Sequence, residues 1–205
     1  HVSSRVTGIA REVPARLGQE VGAGDVVAVL DSSDVGNAKL DFLEKDLAVT
    51  FAKVNFDWTD KIYRNTKELI AALEKETPIG ELDQAFKGKI IGEHREQLVT
   101  SYARLGQAQA DLQRTKGLVE KTIKPEADLV KAKADFDSAQ ATFRAWIEQL
   151  RFTAERDHLK TEQEMRKAET SRKVSRERLA IIGFRSTDLE TVAWSSAGEK
   201  AEEQL

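Results

Sequence analysis

Three histidines, His1, His94 and His158, and one methionine, Met165, are the only soft or borderline metal ligands in a chain of 205 residues with no cysteine. Soft-metal sites draw on Cys, Met or clustered His. Here those residues are scattered, so no intrinsic metal site is expected. The lack of cysteine also excludes disulfides and thiolate chemistry, while leaving the compartment open. Catalysis needs an acid–base or nucleophile constellation held in a pocket. No motif supports any of the histidines, and His158, in a charged helical stretch, is read as solvent-facing. Gly80, Gly88 and Gly92 precede no Gly-Lys-Ser/Thr, so they do not form a phosphate loop. The Asp and Glu residues sit among Lys and Arg at helical spacing, as surface ion pairs do. The reading is a chain that is not an enzyme, with no cofactor and no metal.

The elements that would have to position such residues are rods rather than pocket walls. Charged residues make up 33%, hydrophobic residues 40% and aromatics only 6%. That balance suits long amphipathic helices better than a large globular core. Only Pro14, Pro78 and Pro125 interrupt the backbone donors. The formal net charge is -3, with basic and acidic residues interleaved. No basic field attracts nucleic acid or anionic lipid, so no nucleic-acid partner is expected. No apolar run of ~18 residues is present to span a bilayer. The chain opens on His1-Val2-Ser3, already strand-like, and is expected to be a trimmed or processed piece of a longer one. Missing signals therefore say nothing about location.

Three zones follow. Residues 1–34 read as short strands: Val6, Val13, Val21, Val26, Val27, Val29 and Leu30 lie among turn signals at Gly8, Gly18, Gly22 and Gly24. Ser32-Ser33-Asp34 offers helix N-caps. Residues 35–183 read as an α-helical hairpin. Leu40, Leu43, Leu47, Phe51, Val54, Trp58 and Ile62 form the apolar face expected to pack in its first arm. The pattern breaks near 77–92, where an excursion or an extra helix is expected. Leu98, Tyr102, Leu105, Gln109, Leu112 and Val119 mark the next helix. A tip near 121–126 reverses the chain, with Pro125 in the first turn of the returning helix. There Leu129, Ala132, Phe136, Ala139, Phe143, Trp146, Leu150 and Thr153 form a heptad seam. The seam fades beyond Asp157 and resumes through Met165, Ala168, Leu179 and Ile182. Gly183 is a C′ cap candidate. A helix from about Pro125 to Ile182 would be ~85 Å long. Residues 184–205 read as the start of a return segment and a frayed tail. The fold class is mainly α: a long antiparallel coiled-coil hairpin projecting from a small β module.

The β zone resembles the opening half of the lipoyl-like barrel-sandwich domain of HlyD-like periplasmic adaptors, also called membrane fusion proteins. The residues that carry this are Val6-Thr7-Gly8, Val13, Leu17-Gly18-Gln19-Glu20-Val21 and Gly24-Asp25-Val26-Val27-Ala28-Val29-Leu30-Asp31. Ser32-Ser33-Asp34-Val35-Gly36-Asn37-Ala38-Lys39 is similar to the strand exit of the heavy-metal-efflux branch of RND-pump adaptors, with Ser33 where proline is usual. Arg178-Leu179-Ala180-Ile181-Ile182-Gly183 resembles that family's closing motif. At the tip, Arg114 and Leu118 match the spacing of channel-docking residues, and Pro125 stands where the family carries serine.

This resemblance implies a non-enzymatic, periplasmic subunit whose full-length form is associated with the inner membrane. Its partners would be an inner-membrane transporter and an outer-membrane channel, with self-association into a ring. Arg114, Leu118 and Pro125 would form the channel-docking tip. It also implies that the second half of the barrel follows Gly183, and further domains after it. Helical periodicity alone equally fits a coiled-coil scaffold or tether unrelated to transport. A lipoyl or biotinyl carrier fits poorly, because a long helical insertion follows only half a barrel.

Overall fold

The computed structural model describes residues 3–92 and 95–183. The expectations for His1, His94 and residues 184–205 lie outside the described residues. The element order is β1 (Ile9–Glu12), β2 (Val29–Asp31), α1 (Ser33–Glu74), α2 (Ile79–Ala85), α3 (Arg95–Glu120) and α4 (Glu126–Ile181). Among the described residues the protein is mainly helical, with one two-stranded sheet. Backbone packing divides it into two compact units, His1–Lys53 with Glu164–Leu205, and Val54–Gln163.

In the first unit, β1 and β2 pair antiparallel, Ile9 opposite Asp31 and Ala10 opposite Leu30. The register breaks between Ala10 and Glu12, which adds one residue to β1 as a bulge does. Two glycine-dependent turns lie between the strands. Gly18 and Gly24 have φ of 85° and 104°, a region that suits a residue without Cβ. Each turn is also held by a side chain: Arg16 N–H donates to Gln19 Oε1, and Gly22 N–H donates to Asp25 Oδ2 at 2.7 Å. Strand pairing itself covers only Val29–Asp31, so the Val26-Val27-Ala28 stretch is extended chain rather than ladder.

The helical part of this unit is α1 up to Lys53 and α4 from Glu164. The two run antiparallel: Asp41 accepts a 2.7 Å hydrogen bond from Ser175, and Asp46 pairs with Arg172 at 3.0 Å. Ala38, Phe42 and Leu179 are buried together, with Ile182 against them. Polar residues in the α4 seam are thus matched by carboxylates on α1, which is how a heptad seam tolerates Arg172 and Ser175. Gly183 has φ 103° and its N–H donates to Ala180 O, closing α4 in the left-handed geometry that glycine favours.

The second unit holds the larger core. Leu69, Ile70 and Leu73 of α1 meet Leu82 and Phe86 around α2, Leu98 of α3, and Phe143, Ile147 and Leu150 of α4. Leu69, Leu73 and Leu98 are almost completely buried, and each contributes about 1.5–3 kcal/mol of transfer free energy. The expected break is a fold-back. After α2, the chain returns along α1, where Asn65 donates to Ile90 O and Lys89 pairs with Glu68. Tyr102 of α3 donates to Thr77 O at 3.0 Å, holding the loop from the other side.

Two expectations are corrected. Leu40, Leu47, Phe51, Val54 and Trp58 do not face a partner helix; each is about half exposed or more. The buried face of α1 runs instead through Ala38, Phe42 and Val49, then Thr66, Leu69, Ile70 and Leu73. Both stripes have helical period, and period alone does not say which one packs. Likewise His158 is not solvent-facing. Its ring stacks on Tyr63 at 4.5 Å between centroids and tilts against Phe56 at 5.3 Å. Nδ1 lies 3.7 Å from Asp60 Oδ1, and is buried with no hydrogen-bond partner among the described residues.

Candidate functional site

The turn between α3 and α4 is built by backbone chemistry. Helix α3 ends at Glu120, and the next two residues cap it: Thr122 N–H donates to Val119 O and Ile123 N–H to Leu118 O, both at 2.9 Å. That pair of bonds is a Schellman motif, which satisfies the last helical carbonyls. Its left-handed position is occupied by Thr122 with φ 58°. Glycine is the usual residue there because a Cβ is strained in that region. Pro125 directly precedes α4, and its carbonyl accepts from Asp128 N–H, so the proline caps the helix without needing a donor of its own.

The three residues singled out at the tip end up in different surroundings. Arg114 is exposed and forms a 2.6 Å ion pair with Asp111, one turn back on α3. Leu118 is half-buried, and its carbonyl receives the Ile123 bond of the cap. Pro125 is exposed at the start of α4. Lys124 and Asp128 add a 3.5 Å pair beside it. The end of the turn therefore presents ion-paired charge together with Ile123, which is 67% exposed. Sequence reading missed Thr115, a buried polar residue on the inner face of α3, and the strained Thr122. A polar residue at a heptad position was the available signal for the first; the second leaves no trace in sequence.

The other candidate region is the junction of strands and helix. Thr7 donates a 3.0 Å hydrogen bond to Asp34 Oδ2 in the first turn of α1, and Arg5 donates to Ile181 O at the end of α4. A cation on a helix C-terminus also meets the negative end of the macrodipole. The proposed N-cap Ser32 does not bond through its hydroxyl: Ser32 Oγ is buried with no partner among the described residues.

Among the described residues no group of three or more His, Cys, Asp or Glu is placed to hold a metal ion. An open groove of about 800 Å³ beside α2 is lined by Tyr102, Arg144, Glu148 and Arg151, among others. Within it Arg151 pairs with Glu74 at 3.0 Å. Burial, and then the nearby Glu76 carboxylate, push the Tyr102 phenol above its ordinary value. Among the described residues no helix is long and apolar enough to cross a membrane.

A model of the CzcB-like, barrel-sandwich hybrid domain matches residues 1–188. The chain belongs to this family. The resemblance expected at residues 5–40, to HlyD-like adaptors, rests on glycine-turned strands leading into a long helix, and the turns at Gly18 and Gly24 lie in that segment. The cation efflux system protein CzcB of Alcaligenes sp. (strain CT14) is 29% identical over 123 residues, covering 46% of this chain and 24% of that protein. The chain thus matches about a quarter of the length of that curated relative. No solved structure matches it. The heavy-metal-efflux branch of the membrane fusion proteins, expected from Ser32 to Lys39, is the branch found.

Proposed function

We propose that this chain is the strand module and helical hairpin of a periplasmic adaptor in a tripartite cation-export system. It catalyses no reaction. It links an inner-membrane transporter to an outer-membrane channel, and copies assemble side by side into a ring. The observation that carries this reading is the CzcB-like family match across residues 1–188. The name of the curated relative, a cation efflux system protein, supports metal cations as the exported cargo.

Residues 1–34 then belong to the barrel-sandwich module, whose apolar side chains Ile9, Val13 and Val26 stand more than 60% exposed and suit coverage by a complementary half. Residues 35–183 form the hairpin, and Arg114, Leu118 and Pro125 lie at the end that meets the channel. The test is complementation. A strain lacking its own adaptor receives the full-length protein, and growth is followed against increasing metal cation. Wild type restores tolerance. Leu118→Asp together with Arg114→Glu abolishes tolerance and co-purification of the channel, at unchanged adaptor level and unchanged transporter binding. Full tolerance and channel binding in that double variant would remove the tip from the mechanism; no tolerance from wild type would remove the adaptor reading.

A further inference from the structure

In the second unit, His158 of α4 stands against one face of α1, with one polar atom that no contact satisfies. Phe56, Asp60 and Tyr63 recur at intervals of four and three, so they share the face that meets it. The imidazole stacks on Tyr63 with the two planes 10° apart and tilts against Phe56, which fixes its plane. Nδ1 is buried and has no hydrogen-bond partner among the described residues. Buried polar atoms are nearly always partnered, so an orphan calls for an explanation. Asp60 Oδ1 faces it at 3.7 Å. The other carboxylate oxygen, Oδ2, is held by Arg64 Nε at 2.9 Å. One oxygen of Asp60 is thus anchored and the other is offered to the histidine.

The separation of the two atoms decides what joins them. A direct N–H···O hydrogen bond needs about 2.7–3.2 Å. A tetrahedral cation with bonds of about 2.1 Å to each atom holds them about 3.4 Å apart. The observed 3.7 Å is too long for the first and about 0.3 Å from the second. A neutral imidazole carries a proton on one nitrogen and a lone pair on the other. That lone pair and a carboxylate oxygen are brought together by a cation between them. The Arg64 contact is the kind of outer hydrogen bond that orients a ligating carboxylate. Among the described residues no third His, Cys, Asp or Glu joins the pair. The two side chains keep 18% and 20% of their surface exposed, so water reaches the remaining positions.

We propose that His158 Nδ1 and Asp60 Oδ1 bind one divalent cation of the zinc type and so clasp α4 to α1, with water completing the coordination shell. One imidazole and one carboxylate suit a borderline cation better than a hard one such as calcium, which takes oxygen ligands alone. Nothing in the spacing of the histidines announces the site, because its two ligands come from different helices. It stands apart from the adaptor reading, since it needs neither transporter nor channel.

Calorimetric titration of the tag-free 205-residue chain with zinc chloride tests this. The parent carries His1→Ala and His94→Ala, which leaves His158 as the one imidazole. One saturable site per chain is expected. His158→Phe keeps an aromatic ring against Tyr63 and Phe56, and Asp60→Asn keeps the shape of the carboxylate. Each lowers zinc affinity by about tenfold or more, with helical content by circular dichroism unchanged. Zinc raises the Tm of the parent by several degrees and leaves both variants where they were, and excess calcium does not displace it. No saturable binding, or equal zinc affinity in the parent and either variant, would overturn the site. A zinc-induced rise in Tm that survives in both variants would do the same, and displacement by calcium would overturn the choice of cation. Failure of the protein to restore cation tolerance would sink the adaptor reading and leave this result standing.

Discussion

Gly8 and Asp31 meet backbone to backbone: a Cβ on Gly8 would sit 2.4 Å from the Asp31 carbonyl oxygen. This is the point where the first strand passes the end of β2. The close approach explains a glycine at the end of Val6-Thr7-Gly8, since no side chain fits there.

Gly8→Ala should therefore destabilise the first unit. Because the obstructing atom belongs to the backbone, the strand must shift, at a cost of about 1–3 kcal/mol as for other overpacked sites. Gly106→Ala and Gly117→Ala in α3 meet open space and should each stabilise by about 0.5–1 kcal/mol. Urea unfolding of the three variants checks this; equal effects at Gly8 and Gly106 would contradict it.

Two helix ends use a side-chain-bearing residue in the left-handed position. Glu76 and Thr122 both have φ 58°, and Thr77 N–H donates to Ala72 O just as Ile123 N–H does to Leu118 O. Relief of the Cβ strain, about 1–2 kcal/mol, outweighs the entropy lost with glycine, about 0.5–1 kcal/mol. Glu76→Gly and Thr122→Gly should each raise the melting temperature. A lower Tm in both would show that the caps are not strained.

Leu69→Ala should cost about 2–5 kcal/mol, as for fully buried leucines. Trp58→Ala removes a larger side chain, yet one that is 53% exposed, and should cost under about 1 kcal/mol in the isolated chain. Side-chain size alone ranks them the other way, so denaturant midpoints for the two variants decide which stripe of α1 is the core.

Tyr102 makes stability depend on alkaline pH. Burial, then the Glu76 charge, raise its phenol above 10.0, and only the neutral form can donate to Thr77 O. A folded-state value above the unfolded one means that this contribution is complete below pH 10.0 and is lost as pH rises through the folded value. Tyr102→Phe should lose about 0.5–1.5 kcal/mol at neutral pH and show a shallower decline above the phenol range. Identical alkaline profiles for the two proteins would refute the linkage.

Helical content, the reversal before Pro125 and the left-handed stop at Gly183 were readable from residue type, because propensity, proline and glycine act locally. The heptad seam of α4 was readable for the same reason, as Phe143 and Leu150 recur with a single phase. On α1 two apolar stripes compete. Local sequence holds their spacing but not their phase, so only packing against α4 selected Ala38, Phe42 and Val49 over Leu40, Leu47 and Phe51. The same limit applied to His158, whose stacking on Tyr63 joins positions 95 residues apart in sequence. Of the tip, sequence supplied Arg114, Leu118 and Pro125 and their spacing. Tertiary structure alone decided that Leu118 is half-buried, whereas the Arg114 pair with Asp111 is local to α3 and Thr122 takes a conformation its side chain resists within the cap itself. Contacts between distant segments are fixed by which surfaces meet, and no single segment encodes its partner.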